Sequence, residues 1–340
     1  MNQFTITIAI PVFNGEKYLK EAIESALNQT VPADEILVFI HDTQDKSRVI
    51  AEEFLPRVKI VEENTNLNIG QAWNRLYELS KSDYVVILHD DDTLELKCIE
   101  LIREKIISNP SIKIIFGGSY VFNQEINQNN LPIKKQLNFP LESVPINTYD
   151  FKSKILKGFL PGCSGLCLYR DTMLKTKFNE GLSIILDCEF FTRSSLLISE
   201  VAGLQKVLAN YRVSTTSTMA AATTQKVLRD YQSWMEQIDN GSIQLPVEVI
   251  DQYRGFVFRR LASFYSSAIY DNRLEIVAEL QKLLETQIFR HDLIFKKYLS
   301  KSMLILIKIS LLGMIGYYFA IVIARVDRIL KRFARYQYKK

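Results

Sequence analysis

The sequence predicts an α/β protein with a mostly parallel sheet flanked by helices, followed by a helical C-terminal extension. Three observations carry this. Apolar, β-rich runs alternate with helical patterns through the first 120 residues. The runs are apolar almost throughout rather than on one face, as strands covered on both sides are. From about residue 224 the pattern becomes helical. With 340 residues, 47% hydrophobic and 24% charged, the chain suffices for one large domain with an appendage, or two domains. That composition excludes a disordered chain, a collagen-like repeat and a disulfide miniprotein.

Residues 5–10 read as the first strand. Tyr18, Leu19, Ala22, Ile23, Ala26 and Leu27 then recur at helical spacing, with Asn14 as the N-cap. Strands follow over 35–40, 58–61, 84–89 and 113–122, with helices over 69–79 and 96–108, the latter ended by Asn109-Pro110. Residues 123–160 are rich in Asn, Gln and Pro and hold no lasting period, which predicts a long functional loop or lid. A Gly-rich turn over 161–165, strands over 166–169 and 206–213 and a helix over about 188–198 complete the body. The expected division is a body over 1–220, a helical cap over 221–295 and a basic, apolar tail over 296–340.

Residues 296–340 carry eleven basic side chains and one acidic, net +10, so the overall +4 leaves −6 on the first 295 residues. An acidic body without a broad cationic face excludes nucleic acid as the main partner. Residues 303–324 are predominantly apolar, with Lys308 their only charge, a length that matches the roughly 30 Å hydrocarbon core of a bilayer. A single crossing would carry residues 325–340, net +6, away from the cytoplasm, against the preference of Lys and Arg. A hairpin, a re-entrant segment or an in-plane helix avoids that conflict, and a buried helix of a soluble bundle is the plain alternative. No signal-like region precedes the first strand, so the body is expected on the cytoplasmic side of the membrane. Cys98, Cys163, Cys167 and Cys188 fit a reduced compartment, and Cys163 and Cys167 lack the paired spacing of a zinc site.

The chemistry starts at Asp90-Asp91-Asp92, directly after the apolar run 84–88. Three carboxylates at the carboxyl end of a parallel strand repel one another unless a cation or hydrogen-bond donors are present. In an open α/β sheet that edge is where ligands bind, and carboxylate oxygens suit Mg²⁺ or Mn²⁺. A solvated, helix-capping turn is the plain alternative. Asp187 stands where a helix begins, with capping as its plain role. Arg212 offers a guanidinium that matches phosphate, or a surface salt bridge.

Several segments in order resemble glycosyltransferase family 2. Ile8-Ala9-Ile10-Pro11-Val12-Phe13-Asn14-Gly15 and the following residues to Thr30 look like its opening strand, turn and helix. Asn66-Leu67-Asn68-Ile69-Gly70-Gln71-Ala72-Trp73-Asn74 looks like its next signature, and the acidic triplet stands at its Asp-x-Asp metal motif. The resemblance covers about residues 5–217 and implies the GT-A fold, a Rossmann-like sheet that binds a nucleotide sugar. It implies Pro11, Val12 and Phe13 beside the nucleotide, with Asn68 and Asn74 on the donor side, Asp91 as metal ligand, and Asp90 near the ribose or the metal. Leu186-Asp187-Cys188-Glu189-Phe190-Phe191-Thr192-Arg193 resembles the helix whose acidic residue acts as base, which implies Asp187 for that role and Glu189 as the alternative. Gly162, Ser164 and Glu189 fall on the acceptor side. Tyr211-Arg212 resembles a Tyr-Arg-x-His-x-x-Ser segment and implies Arg212 at the diphosphate.

The chain departs from the pattern at three places. His89 stands where the metal motif commonly begins with Asp, which makes it a candidate metal ligand beside Asp91, although imidazole suits softer metals better. Ser214 replaces the His after Arg212. Ile40-His41-Asp42-Thr43 replaces an Asp-Asp-Gly-Ser whose Asp often binds the base, so His41 and Asp42 are left to take its place, or Ile40 and His41 simply finish a buried strand.

The function implied is metal-dependent, inverting transfer of a sugar from a nucleoside diphosphate sugar to a saccharide acceptor, lipid-linked and reached from the membrane surface through the tail. Mn²⁺ or Mg²⁺ is the cofactor implied. A sugar nucleotidyltransferase would need a Gly-rich phosphate loop near the N-terminus, which is absent. A non-catalytic nucleotide-sugar-binding or scaffold protein of the same fold is the alternative.

Overall fold

In this computed structural model the described residues are 4–122, 136–138, 140–155, 159–213, 224–243, 245–246, 249–257 and 261. The chain divides into two compact units between Ala222 and Thr223.

The first unit is built on a sheet of strands β1 (Ile6–Val12), β2 (Glu35–His41), β3 (Lys59–Glu63), β4 (Tyr84–Ile87), β5 (Thr93–Leu94), β6 (Ile114–Phe122), β7 (Gln136–Leu137), β8 (Cys167–Tyr169) and β9 (Val201–Arg212). Their order across the sheet is β3-β2-β1-β4-β8-β6-β9-β5, with β7 pairing on β6. The first four are mutually parallel, β6 and β9 are parallel, and β8 runs antiparallel between β4 and β6. Burial explains their continuous apolarity: Ile6, Ile8, Ala9, Ile10 and Val12 of β1 and Val85, Val86 and Ile87 of β4 are fully enclosed, on both faces of the sheet.

Helices α1 (Leu19–Leu27), α2 (Ser47–Glu52), α3 (Ile69–Leu79), α4 (Cys98–Ser108), α5 (Thr148–Ile155), α6 (Arg170–Thr176) and α7 (Leu186–Leu197) flank it. α1 buries Leu19, Ala22, Ile23 and Ala26, the stripe that the helical spacing predicts. Its N-cap, however, is Tyr18. Asn14 lies earlier, at φ 53°, and its Oδ1 accepts the Gln44 N–H (2.9 Å), pinning the turn after β1 to the turn after β2. α3 has the predicted bounds because Asn68 and Gln71 close a capping box.

The stretch read as one loop is partly ordered. α5 lies within 123–160, with Phe151 and Ile155 buried, and a short 3₁₀ turn precedes it at Leu141–Ser143. Its eight residues carry two buried positions, too few for a period to stand out against the surrounding Asn and Pro. Residues 123–135 of that stretch lie outside the described residues.

The second unit contains α8 (Thr224–Asp239) and a helical segment over 249–257. Trp234 is fully buried there and donates to the Tyr253 hydroxyl (2.7 Å), with Tyr231 and Phe256 against its ring. Among the described residues no helix is long and apolar enough to cross a membrane. The apolar stretch 303–324 and the basic tail lie outside them.

Candidate active site

The chain leaves β1 toward β2 and β3 on one side and returns to β4 on the other, so a crevice opens between the carboxyl ends of β1 and β4, where open α/β sheets bind ligands. Residues 88–92 cross that edge. Leu88 N–H bonds Ala9 O (3.0 Å), Asp92 N–H turns back to His89 O (3.2 Å), and β5 then docks antiparallel on β9. Asp90 Oδ2 accepts the Phe13 N–H (3.2 Å) across the crevice. Gly15 leaves room beside it: a Cβ there would lie 2.5 Å from that same oxygen, so the carboxylate would have to shift.

Asp92 is fully buried. Its Oδ2 accepts the Ser164 hydroxyl (2.5 Å) and its Oδ1 the Arg212 backbone N–H (2.8 Å). Ser164 is aimed by Gly165, whose φ of 82° turns the chain so that its N–H reaches Ile87 O (2.8 Å). His89 completes the group: its Nδ1 lies 3.6 Å from Asp92 Oδ2, its ring stacks on Trp73 (5.2 Å between centroids), and its Nε2 is buried without a partner.

Burial first, and then the Asp91 charge, push the carboxyls of Asp90 and Asp92 up to about 7. Burial lowers the His89 pKa against the opposing charges of Asp91 and Asp187. Donor atoms of His89, Asp91 and Asp92 all lie within 4.8 Å of one another. One imidazole and two carboxylates, with neighbouring acids held near neutrality for want of a counter-charge, fit a divalent cation.

A carboxyl whose folded pKa is about 7 against an unfolded value near 3.9 gives stability that is present below about pH 4 and lost as pH rises through 7. Metal-free protein is therefore expected to lose thermal stability from pH 6 to 8. Asp90→Asn, which keeps an acceptor for Phe13, is expected to reduce that slope in a thermal melt series. Identical slopes in the two proteins would contradict the burial argument.

On the other side of the crevice Phe13 is 52% exposed and stacks on His41 (5.5 Å, 19° between planes), which also stacks on Phe39. Val12 and Ile40 are buried, so Val12 presents only backbone to the crevice, while Pro11 is half-buried and paired with Phe39. His41 ends β2 with its Nδ1 buried and unpartnered, and burial lowers its pKa. Asp42 takes φ 44°, a left-handed conformation, at the position where the resembled pattern has glycine.

Opposite the acidic loop stands the first turn of α7. Asp187 is half-buried, its Oδ1 accepts the Cys188 N–H (2.6 Å), and its charge acts on His89, Cys163 and Tyr211. Tyr211 belongs to the same cluster: burial, then the charges of Asp92, Asp91 and Asp187, push its hydroxyl up to about 12. Gly162 lies half-buried near the Ser119 hydroxyl.

Four of the sequence candidates are engaged within the fold. Glu189 does not line the acceptor side. It is fully buried and holds Arg193 through two hydrogen bonds (2.6 and 3.0 Å), and Arg193 in turn donates to Thr176 O and Lys177 O. Arg212 is held inside the fold, behind the acidic loop. Only 1% exposed, it lies between Tyr18 and Phe122; its Nε donates to Asp91 O (2.7 Å) and its Nη2 to Glu21 (2.7 Å), while its Nη1 is buried without a partner. Asn68 and Asn74 have partners on the 178–180 segment. Asn68 caps α3 and donates to Glu180 O, and Asn74 exchanges hydrogen bonds with the Phe178 backbone and reaches Glu180. These groups build the site from behind: α3 is stitched to residues 178–180, and Arg212 clamps the acidic loop.

A crevice with aromatic and backbone walls, an acidic loop and a facing carboxylate thus stands at the ligand edge of an open α/β sheet. Residues 7–177 match the model of Glycosyl transferase family 2, and the chain belongs to that family. Chondroitin synthase of Escherichia coli is 27% identical over 193 residues, 56% of this chain and 26% of that protein. Glycosyltransferase GlyG of Streptococcus pneumoniae is 25% identical over 122 residues, 35% of this chain and 40% of that protein. The chain thus spans well under two thirds of these two relatives' own lengths. In fold it matches Staphylococcus aureus TarS residues 1–349, crystallised with UDP-GlcNAc, with a TM-score of 0.54 at 14% identity over 84% of this chain and 85% of that one. The architecture is the GT-A glycosyltransferase fold.

Proposed function

We propose that the protein is a metal-dependent, inverting glycosyltransferase that moves a hexosyl or deoxyhexosyl group from a nucleoside diphosphate sugar to a saccharide acceptor. The observation that carries this reading is the convergence of the 89–92 loop with Asp187 at the switch-point crevice. The nucleotide lies along Pro11, Val12 and Phe13, with His41 and Asp42 at the base. The UDP-GlcNAc bound by TarS supports a sugar nucleotide as donor.

His89, Asp91 and Asp92 would hold Mn²⁺ or Mg²⁺, which neutralises charge growing on the leaving diphosphate. Asp187 takes the proton of the attacking acceptor hydroxyl as its oxygen bonds to the anomeric carbon. The bond from that carbon to the β-phosphate oxygen breaks, and the nucleoside diphosphate departs on the opposite face, inverting the centre. Arg212, Ser164 and Gly15 fix the loop so that the ligands need no rearrangement.

The acceptor is a lipid-linked saccharide of a surface polysaccharide, met on the cytoplasmic face of the membrane. The basic, apolar 296–340 segment and the likeness to a chondroitin synthase support this. Calorimetric titration of UDP, dTDP and GDP with and without Mn²⁺ tests the donor: one nucleotide is expected to bind in a metal-dependent way, and binding of none contradicts the reading. Deletion of 296–340 is expected to spare donor binding while lowering use of a lipid-linked acceptor, and equal use by both proteins contradicts the membrane role.

A further inference from the structure

One side chain of α3 meets both halves of the candidate site. Trp73 is 7% exposed, and its indole lies on the His89 ring of the acidic loop (5.2 Å between centroids, 26° between planes). It packs edge-to-face with Phe178 (4.9 Å, 78°), and Phe178 packs on Phe190 of α7 (4.4 Å, 37°). Phe190 follows Asp187 by three residues, less than one helical turn. His89, Trp73, Phe178 and Phe190 thus form a series of rings from the acidic loop to the helix that carries Asp187.

The two ends of that series are anchored differently. The acidic loop has tethers of its own, from Ser164 to Asp92 and from Arg212 to the Asp91 carbonyl. The segment that enters α7 hangs on α3. Asn74 exchanges hydrogen bonds with the Phe178 N–H and C=O (2.7 and 3.0 Å), and Asn68 donates to Glu180 O (2.9 Å). The approach at Gly70 is close, since a Cβ there would lie 3.1 Å from Asn179 O. The indole is the spacer between this frame and the loop.

We infer that Trp73 is a positioning residue for the transfer, its indole fixing the separation of Asp187 from the acidic loop. The inference rests on the proposed transfer with Asp187 as base and deepens it. A close-packed interior passes a displacement on, and a gap left by a lost side chain is closed only in part by its neighbours. At a reacting group a shift of about 1 Å is enough to cost about 10²-fold in rate.

Trp73→Leu removes the spacer, and Trp73→Phe, which keeps a flat ring, serves where Trp73→Leu does not fold. Each is measured alone and combined with Asp187→Asn, using Mn²⁺, a saccharide acceptor and the donor that wild type consumes from a panel of UDP-, dTDP- and GDP-sugars. Trp73→Leu is expected to lower kcat on the order of 10²-fold and Trp73→Phe on the order of tenfold, with the donor KM within about threefold of wild type. In Asp187→Asn protein the same substitutions are expected to change kcat less than about threefold, because the group they displace is already disabled. Indole N–H spectra of metal-free protein read the stack without turnover. The Trp73 resonance, identified by its absence from Trp73→Phe, is expected to move in His89→Asn and in Asn74→Ala, which cuts the Phe178 tether.

Losses that multiply in the combined variants, an unchanged kcat in either single variant, or an indole resonance indifferent to one of its neighbours overturns the inference and leaves the proposed transfer standing. If wild type consumes no donor, the transfer fails and the inference fails with it.

Discussion

Asp187→Asn is expected to lower kcat about 10²- to 10⁴-fold, the range over which a positioned general base contributes, while nucleotide binding and the unfolding midpoint stay close to wild type. An acceptor sugar hydroxyl is a weak nucleophile, and the amide that replaces the carboxylate cannot take its proton. The fold should tolerate the change because the side chain is half-buried and its Oδ1 bond to the Cys188 N–H can be made by an amide oxygen. A surface-type substitution of this kind costs about 0.5 kcal/mol or less. Steady-state kinetics with the preferred donor, a nucleotide titration and a thermal melt read the three quantities separately.

Glu189→Gln is expected to do the reverse, destabilising the protein by about 3–5 kcal/mol through the loss of one partner of a buried ion pair. Glu189 is fully buried and grips Arg193 with both oxygens. The substitution keeps one acceptor oxygen but removes the charge that balances a guanidinium only 11% exposed. A urea unfolding midpoint measures this directly. If Glu189→Gln kept its stability and lost kcat instead, the base would be Glu189 and the assignment of Asp187 would be wrong.

These two residues mark where sequence reasoning stops. Asp187 and Glu189 are two positions apart on one predicted helix, and a motif that offers both cannot tell which faces the crevice. The choice depends on Arg193, four residues on, which turns Glu189 into the core. Arg212 is the same kind of case: its type suits a phosphate, and its neighbours Glu21 and Asp91 lie 191 and 121 residues away, beyond any local pattern. The capping role of Asn68 is legible locally, since Asn followed three residues later by Gln ahead of an apolar stripe is a capping box.

What was legible rested on period and order. The enclosed strands β1, β2 and β4 read as near-continuous apolar runs because helices cover both faces, and the acidic triplet after β4 fell at the ligand edge as expected for that topology. The strands that close the far side of the sheet were harder. β5 has two residues and exists through its pairing with Asn210 and Ala209 of β9, so nothing in its own sequence declares it. The Ser164 tether and the Trp73 stack are likewise contacts across 72 residues and between ring faces, for which no spacing rule exists.

The central claim is that the acidic loop and Asp187 together perform sugar transfer. Release of nucleoside diphosphate from a panel of UDP-, dTDP- and GDP-sugars, with Mn²⁺ and with a chelator, tests it most directly in wild-type, Asp91→Asn and Asp187→Asn proteins with a saccharide acceptor present. One donor should be consumed by wild type only with Mn²⁺; Asp91→Asn should abolish turnover and Asp187→Asn should lower it about 10²- to 10⁴-fold. Turnover that persists in the chelator, or in either variant at the wild-type rate, would contradict the account.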